Sequence, residues 1–132
     1  MIRRIVVGYD FSENADDALA WTLDLARQTQ STVYLVHVTN APSEDHPSVE
    51  ETRGRLSHVA DELGPEVASH VLVADDVADA LVHFAEDNNA DLLVVATAGL
   101  AGVARWLLGS VAEAVLKKAH CPVVTLRQDE RA

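Results

Sequence analysis

Three glycines, a serine and an aspartate are the residues of this chain whose types and spacing invite chemistry. Asp10 closes the apolar run RRIVVGYD. Residues 94–115, VVATAGLAGVARWLLGSVAEAV, leave a second apolar run through Gly99 and Gly102 and break again at Gly109-Ser110. Glycine leaves backbone N–H groups uncovered, and a helix start points such groups and a partial positive charge outward, so the pattern suits the close approach of an anion such as phosphate. Ser110 and Glu113 have the S-x-x-E spacing of a capping box, which predicts a helix start and adds a hydroxyl there. Asp10 is suited to accept hydrogen bonds from ribose hydroxyls or an adenine amino group. A glycine turn and a capped helix also occur in α/β proteins that bind nothing, so the surrounding elements must decide.

Other chemistries find less support. His37, His46, His58, His70, His83 and His120 are scattered, with no H-x-x-x-H pair and no cysteine cluster, which points to structural or surface roles and no metal site. Asp75, Asp76 and Asp79 precede an apolar helical run, where capping and dipole complementarity account for them. Ser12 lacks the glycines of a nucleophile elbow and serves better as a helix cap. No arginine or lysine stands in TAGLAG to stabilise a phosphoryl transition state, so no catalytic set emerges. Thr97 and Ser110 are candidates for phosphorylation, but a strand-end residue and a cap explain them more simply. The single cysteine, Cys121, cannot close an internal disulfide and reads as a structural thiol.

The elements that must position these residues are legible in the pattern. With 132 residues, 48% hydrophobic and only four prolines, the chain suits one domain over 1–132. No run approaches a membrane span and MIRRIVVGYD leads straight into a strand, so the expectation is a cytoplasmic protein without membrane insertion. The net charge of −11 repels phosphate backbones and anionic lipid, which argues against nucleic acid as a partner. Near-continuous β-branched runs at RRIVVGYD, STVYLVHV, VASHVLVA, ADLLVVAT and CPVVTLR predict five strands covered on both faces. Helices are predicted after the Ser12 cap, over about 48–63, from Asp75 or Asp76 to about Asp87, and from Ser110 to about Ala119. Alternation of strands and helices predicts a doubly wound parallel sheet of five strands with four helices. With order 3-2-1-4-5, a ligand crevice opens outside the carboxyl ends of strands one and four. That topology brings Gly8, Tyr9 and Asp10 toward Ala96 to Gly102, with Gly109 and Ser110 opening the next helix.

Over nearly its whole length the sequence resembles the universal stress protein family. The resemblance is carried by IVVGYDFSENADDALAWTLDLA, by YLVHV and by ADLLVVATAGLAGVARWLLGSVAEAVLKKAHCPVVTL. Nucleotide-binding members of that family carry Gly-x-x-Gly, nine residues, then Gly followed by Ser or Thr. Here Gly109-Ser110 closes the pattern, Gly99 stands ten positions earlier and Ala96 occupies the place of the first glycine. The resemblance implies a flavodoxin/Rossmann-like fold, a homodimer joined through the last strand, about 121–127, and in one branch a bound ATP. It implies Asp10 on the nucleoside, the backbone near Val38 beside adenine, and Ala96, Gly99, Gly109, Ser110 and Val111 around the phosphates. Ala98, Leu100 and Ala101 bring no charged side chain, so backbone groups would hold the phosphates. ADP or AMP would serve about as well as ATP, and a triphosphate beside so acidic a surface would take Mg²⁺ as counter-cation. The resulting expectation is a regulatory module whose adenine nucleotide alters contacts with an unidentified protein partner. The alternatives are an adaptor that binds no nucleotide and docks to a transporter or enzyme, and a slow ATPase or autophosphorylating protein.

Overall fold

Strand runs and helical periodicities take shape as β1 (Arg4–Gly8), α1 (Glu13–Thr29), β2 (Thr32–Thr39), α2 (Val49–Leu63), β3 (Val67–Val73), α3 (Val77–Asp87), β4 (Leu92–Ala96), α4 (Ser110–Lys118) and β5 (Val123–Leu126). The computed structural model describes residues 1–40, 48–97 and 110–127. The strands form one sheet of order β3-β2-β1-β4-β5, and every neighbouring pair is parallel. This is the doubly wound architecture that the alternation predicts.

The unbroken apolar strands exist because both faces of the sheet are covered. Ile5, Val7, Leu35 and Val94 enter a core with α1 and α2, whereas Val6, Val36, Leu93 and Val95 enter a second core with α3 and α4. Each fully buried aliphatic side chain contributes about 1.5–3 kcal/mol, so the three interior strands, β2, β1 and β4, anchor the molecule. Helix starts follow the predicted caps. Ser12 accepts from the Ala15 N–H, Ser48 from the Glu51 N–H and Asp76 from the Asp79 N–H, which assigns the third cap to Asp76 and not Asp75. The last helix, expected from about Ser110, is described from Ser110 to Lys118.

Where the strands stop matters more for function than where they start. Pairing of β1 with β2 ends at Gly8↔Val36, although β2 continues to Thr39. Pairing of β1 with β4 ends at Val7↔Val94, although β4 continues to Ala96. The pairing of the central strand therefore stops short of the carboxyl ends of both neighbours, and a gap opens beyond it.

Candidate functional site

Backbone direction defines what faces the gap. In a parallel sheet, alternate residues of a strand present N–H and C=O to opposite neighbours. The Tyr9 N–H donates to the Val36 carbonyl at 2.8 Å and the Ala74 N–H donates to the Thr39 carbonyl at 2.9 Å, so even positions of β2 face β1 and odd ones face β3. Val38 thus turns its N–H and C=O toward a β1 that is no longer there. By the same count, the Thr97 N–H and its donation to the Leu126 carbonyl at 2.8 Å put odd positions of β4 toward β5 and Ala96 toward the gap.

The gap is a cavity of about 620 Å³, within the range of small-molecule sites. Among its lining residues are Gly8, Tyr9, Asp10, Val38, Ala96, Ser110 and Val111, so the structure brings together seven of the nine residues expected from sequence. The other two, Gly99 and Gly109, lie outside the described residues. Val36, Val77, Leu81 and Val95 give the cavity an apolar floor. Gly8 belongs to that floor for reasons of space: a Cβ there would stand 3.0 Å from Leu81 Cδ1.

Sequence reasoning did not assign Ser12, Glu13, Asn14 and His37 to the cavity, yet all four line it, as does Thr97 from the expected span Ala96 to Gly102. They bring together the first turn of α1 and the ends of β2 and β4. Ser12 is more than a cap. Its Oγ accepts from the Ala15 N–H at 3.1 Å while its hydroxyl donates to Asp10 Oδ1, which also accepts from the Ser12 N–H at 3.0 Å. One carboxylate oxygen of Asp10 is thereby fixed, and Oδ2 makes no bond among the described residues. Asn14, nearly buried, donates from Nδ2 to the Thr97 carbonyl at 3.1 Å, tying α1 to the end of β4. Thr97 is 4% exposed and its hydroxyl donates to the Leu126 carbonyl, which suits a strand-end role and leaves no accessible acceptor for phosphorylation.

Tyr9 meets the cavity, but its hydroxyl donates to Asp16 on α1. Burial, that hydrogen bond and the Asp16 charge push its pKa up to about 12. Phe11 turns the chain away in a left-handed conformation, φ 65°, with its ring 5.1 Å from that of Tyr9, 5.0 Å from that of His37 and under the Arg55 guanidinium at 4.0 Å. His37 Nδ1 lies 2.8 Å from the Tyr9 carbonyl. Among the described lining residues the charged groups are Asp10 and Glu13, with no lysine or arginine. Positive potential comes instead from the N-termini of α1 and α4, where peptide dipoles act as partial positive charges. Such a site can take a ligand with a flat, partly apolar body, an edge carrying a donor and an acceptor, and an anionic tail at a helix N-terminus.

Comparison with known proteins gives the family and the fold. The sequence matches the profile of the Universal stress protein family over residues 1–127. A universal stress protein of Methanocaldococcus jannaschii is 30% identical over 146 residues, covering 99% of this chain and 85% of that protein. A universal stress protein structure from Archaeoglobus fulgidus superposes with a TM-score of 0.75 at 27% identity, covering 95% of this chain and 93% of the other. A second, of the Archaeoglobus fulgidus universal stress protein in complex with dAMP, gives 0.72 at 28% identity and covers 95% and 98%.

Proposed function

We propose that this chain, which belongs to the universal stress protein family, binds an adenine nucleotide in the crevice beyond β1 and acts as a regulatory module rather than an enzyme. The observation that carries the reading is the backbone of Val38, unpaired among the described residues, a donor and an acceptor side by side at the mouth of an apolar slot. Adenine offers the matching edge, an amino donor beside a ring nitrogen acceptor. Asp10 Oδ2, held in place through Oδ1, is available to ribose hydroxyls. The phosphates would then lie toward Ala96, Ser110 and Val111 at the start of α4, with Gly99 and Gly109 adding backbone donors. Hydrogen bonds to charged oxygens contribute on the order of 1.5–3 kcal/mol each, so a few suffice for micromolar affinity, about −8 kcal/mol, without a lysine or arginine. A triphosphate beside Asp10 and Glu13 would take Mg²⁺ as counter-cation, and these two carboxylates could help to hold it. The dAMP complex of the Archaeoglobus fulgidus relative supports the adenine class.

Among the described residues β5 pairs only with β4, on one side. We take its open edge, about 121–127, as the dimer contact, since two-fold pairing covers an edge that would otherwise recruit other strands. The test of the nucleotide reading is a thermal melt with AMP, ADP and ATP plus Mg²⁺, after any co-purified ligand has been released and identified. Ligand at a hundred times its dissociation constant adds about 2.7 kcal/mol. For 132 residues that is roughly 10 °C in Tm. No shift with any of the three would leave the adaptor reading. Labelled ATP that releases phosphate or labels the protein would replace the regulatory reading with an enzymatic one. Sedimentation as a monomer at tens of micromolar would refute the dimer.

A further inference from the structure

Along β2 the side chains of Val33 and Leu35 enter the core shared with α1 and α2, and His37 is the next position on that face. An imidazole stands where the pattern asks for an aliphatic residue. Its Nδ1 is 2.8 Å from the Tyr9 carbonyl, which can only accept, so Nδ1 carries the proton. That carbonyl has another natural donor. Because the Tyr9 N–H bonds the Val36 carbonyl, a ladder continued by one step would have the Tyr9 carbonyl accept from the Val38 N–H. Among the described residues no such bond exists, and the imidazole has taken the acceptor instead.

We infer that His37 is a positioning residue that opens the nucleotide crevice: its Nδ1–H substitutes for the Val38 N–H on the Tyr9 carbonyl, ends the β1–β2 ladder one step early and releases the Val38 N–H to the ligand. In a trans peptide the carbonyl and the following N–H point in opposite directions, so turning the Tyr9 carbonyl toward the His37 face turns the Asp10 N–H the other way. The left-handed Phe11, its ring tilted against that of His37 and capped by Arg55, holds the chain in that diverted path. A histidine that merely satisfied itself in the core would leave the ladder intact. This one replaces a rung. The claim about the ladder stands on the geometry alone, whereas the claim about the ligand rests on the proposed nucleotide reading.

Amide hydrogen exchange by NMR tests the first claim without any ligand. In the free protein the Val38 amide is expected to exchange at least about tenfold faster than the Val36 amide, whose residue lies within the paired register. His37→Leu should let the rung close and bring Val38 protection within about threefold of Val36. His37→Asn, whose side-chain amide can stand in for Nδ1–H, should keep the wild-type pattern. AMP titrations test the second: His37→Leu should weaken binding by about tenfold and His37→Asn by no more than about threefold. Equal protection of Val38 and Val36 in the wild type, or a His37→Leu variant that leaves Val38 exchange unchanged, overturns the proposal. If the leucine variant does not fold, the wild-type comparison decides, and a protected Val38 in His37→Asn also counts against it. A wild type that binds no AMP refutes the nucleotide reading, while the exchange data still judge the rung.

Discussion

Ser12 and Ser48 cap two helices with the same bond, and only one of them touches the cavity, so the pair forms an internal control. Each Oγ accepts a backbone N–H at 3.1 Å, from Ala15 and Glu51 respectively. Replacing a capping serine by alanine costs about 1 kcal/mol. At an unfolding entropy of about 2.1 cal/mol/K per residue over 132 residues, this lowers Tm by about 3–4 °C for either variant. Ser12→Ala does something more, because the lost hydroxyl also bonds Asp10 Oδ1. Only the Ser12 N–H, at 3.0 Å, then restrains the carboxylate. Re-ordering a freed side chain on binding costs about 0.5–1.5 kcal/mol, which is a loss of roughly two- to twelvefold in affinity. Calorimetry should therefore show similar Tm losses for Ser12→Ala and Ser48→Ala, and AMP titration should show weaker binding for Ser12→Ala alone. Ser12→Thr, which keeps the hydroxyl, should restore both properties. Equal affinity losses in the two alanine variants would refute the reasoning, because the effect would then be global loosening and not the anchoring of Asp10.

Other consequences can be measured as directly. Gln30 ends α1 in a left-handed conformation, φ 56°, on the surface; Gln30→Gly relieves that backbone and should raise stability by about 0.5–1 kcal/mol in denaturant unfolding. Tyr9 titrates at about 12 when folded and near 10 when unfolded, so the native state holds its proton longer and stability falls as pH rises from about 10 to about 12. Tyr9→Phe should lack that loss and the matching late tyrosinate absorbance. The Arg3 and Arg4 N–H groups, at 2.8 and 3.0 Å, hold the Asp91 carboxyl below the usual range. Its contribution is therefore present above the unfolded value of about 4 and lost as pH falls through the folded one, so the stability gap to Asp91→Asn should narrow in acid. Fixed backbone dipoles grip an anion while a net charge of −11 repels it, so raising salt from about 0.01 to 0.15 M should strengthen ATP binding or leave it unchanged. A steep loss of affinity with salt would mean that a cationic side chain holds the phosphates.

Much of the scaffold was legible because it depends on local signals. The bounds of α1 follow from Ser12 ahead of apolar positions at Ala15, Ala18, Leu19, Thr22 and Ala26, all buried in the structure. The strands follow from runs that only a sheet covered on both faces explains. The ends were less clear: the pattern left Asp75 and Asp76 both eligible to cap α3, and only the bond from the Asp79 N–H selects Asp76. Within the site, residue type announced Asp10, the glycines and Ser110, whereas Val38, Ala96 and Val111 were named only through the family resemblance. Asn14 gave no such sign, since in sequence it is one polar residue among the acids opening α1, and its bond to Thr97 spans 83 positions. His37 was weighed with five other histidines and assigned a structural or surface role. The signal that would have separated it is its parity, a polar side chain in register with Val33 and Leu35 on a buried face.

A crevice lined with main-chain donors explains why the motif is faint and the fold is not. Any residue but proline supplies an N–H, so Val38 and Ala96 carry no chemical signature, and what selection can act on is the path that turns their polar groups toward the gap, unpaired among the described residues. In this chain that path is set by a few specific demands. Gly8 leaves room for Leu81 in the floor. Phe11 accepts a left-handed turn, and Ser12 pins Asp10 while starting α1. His37 satisfies the carbonyl that would otherwise reclaim Val38. Each unpaired backbone group at a wet crevice costs little because water can serve it, yet the same group becomes strongly favourable once a ligand with a matching edge displaces that water. The protein thus withholds rungs from its own ladder at the switch point, and under the proposed reading the groups so exposed are what the nucleotide meets.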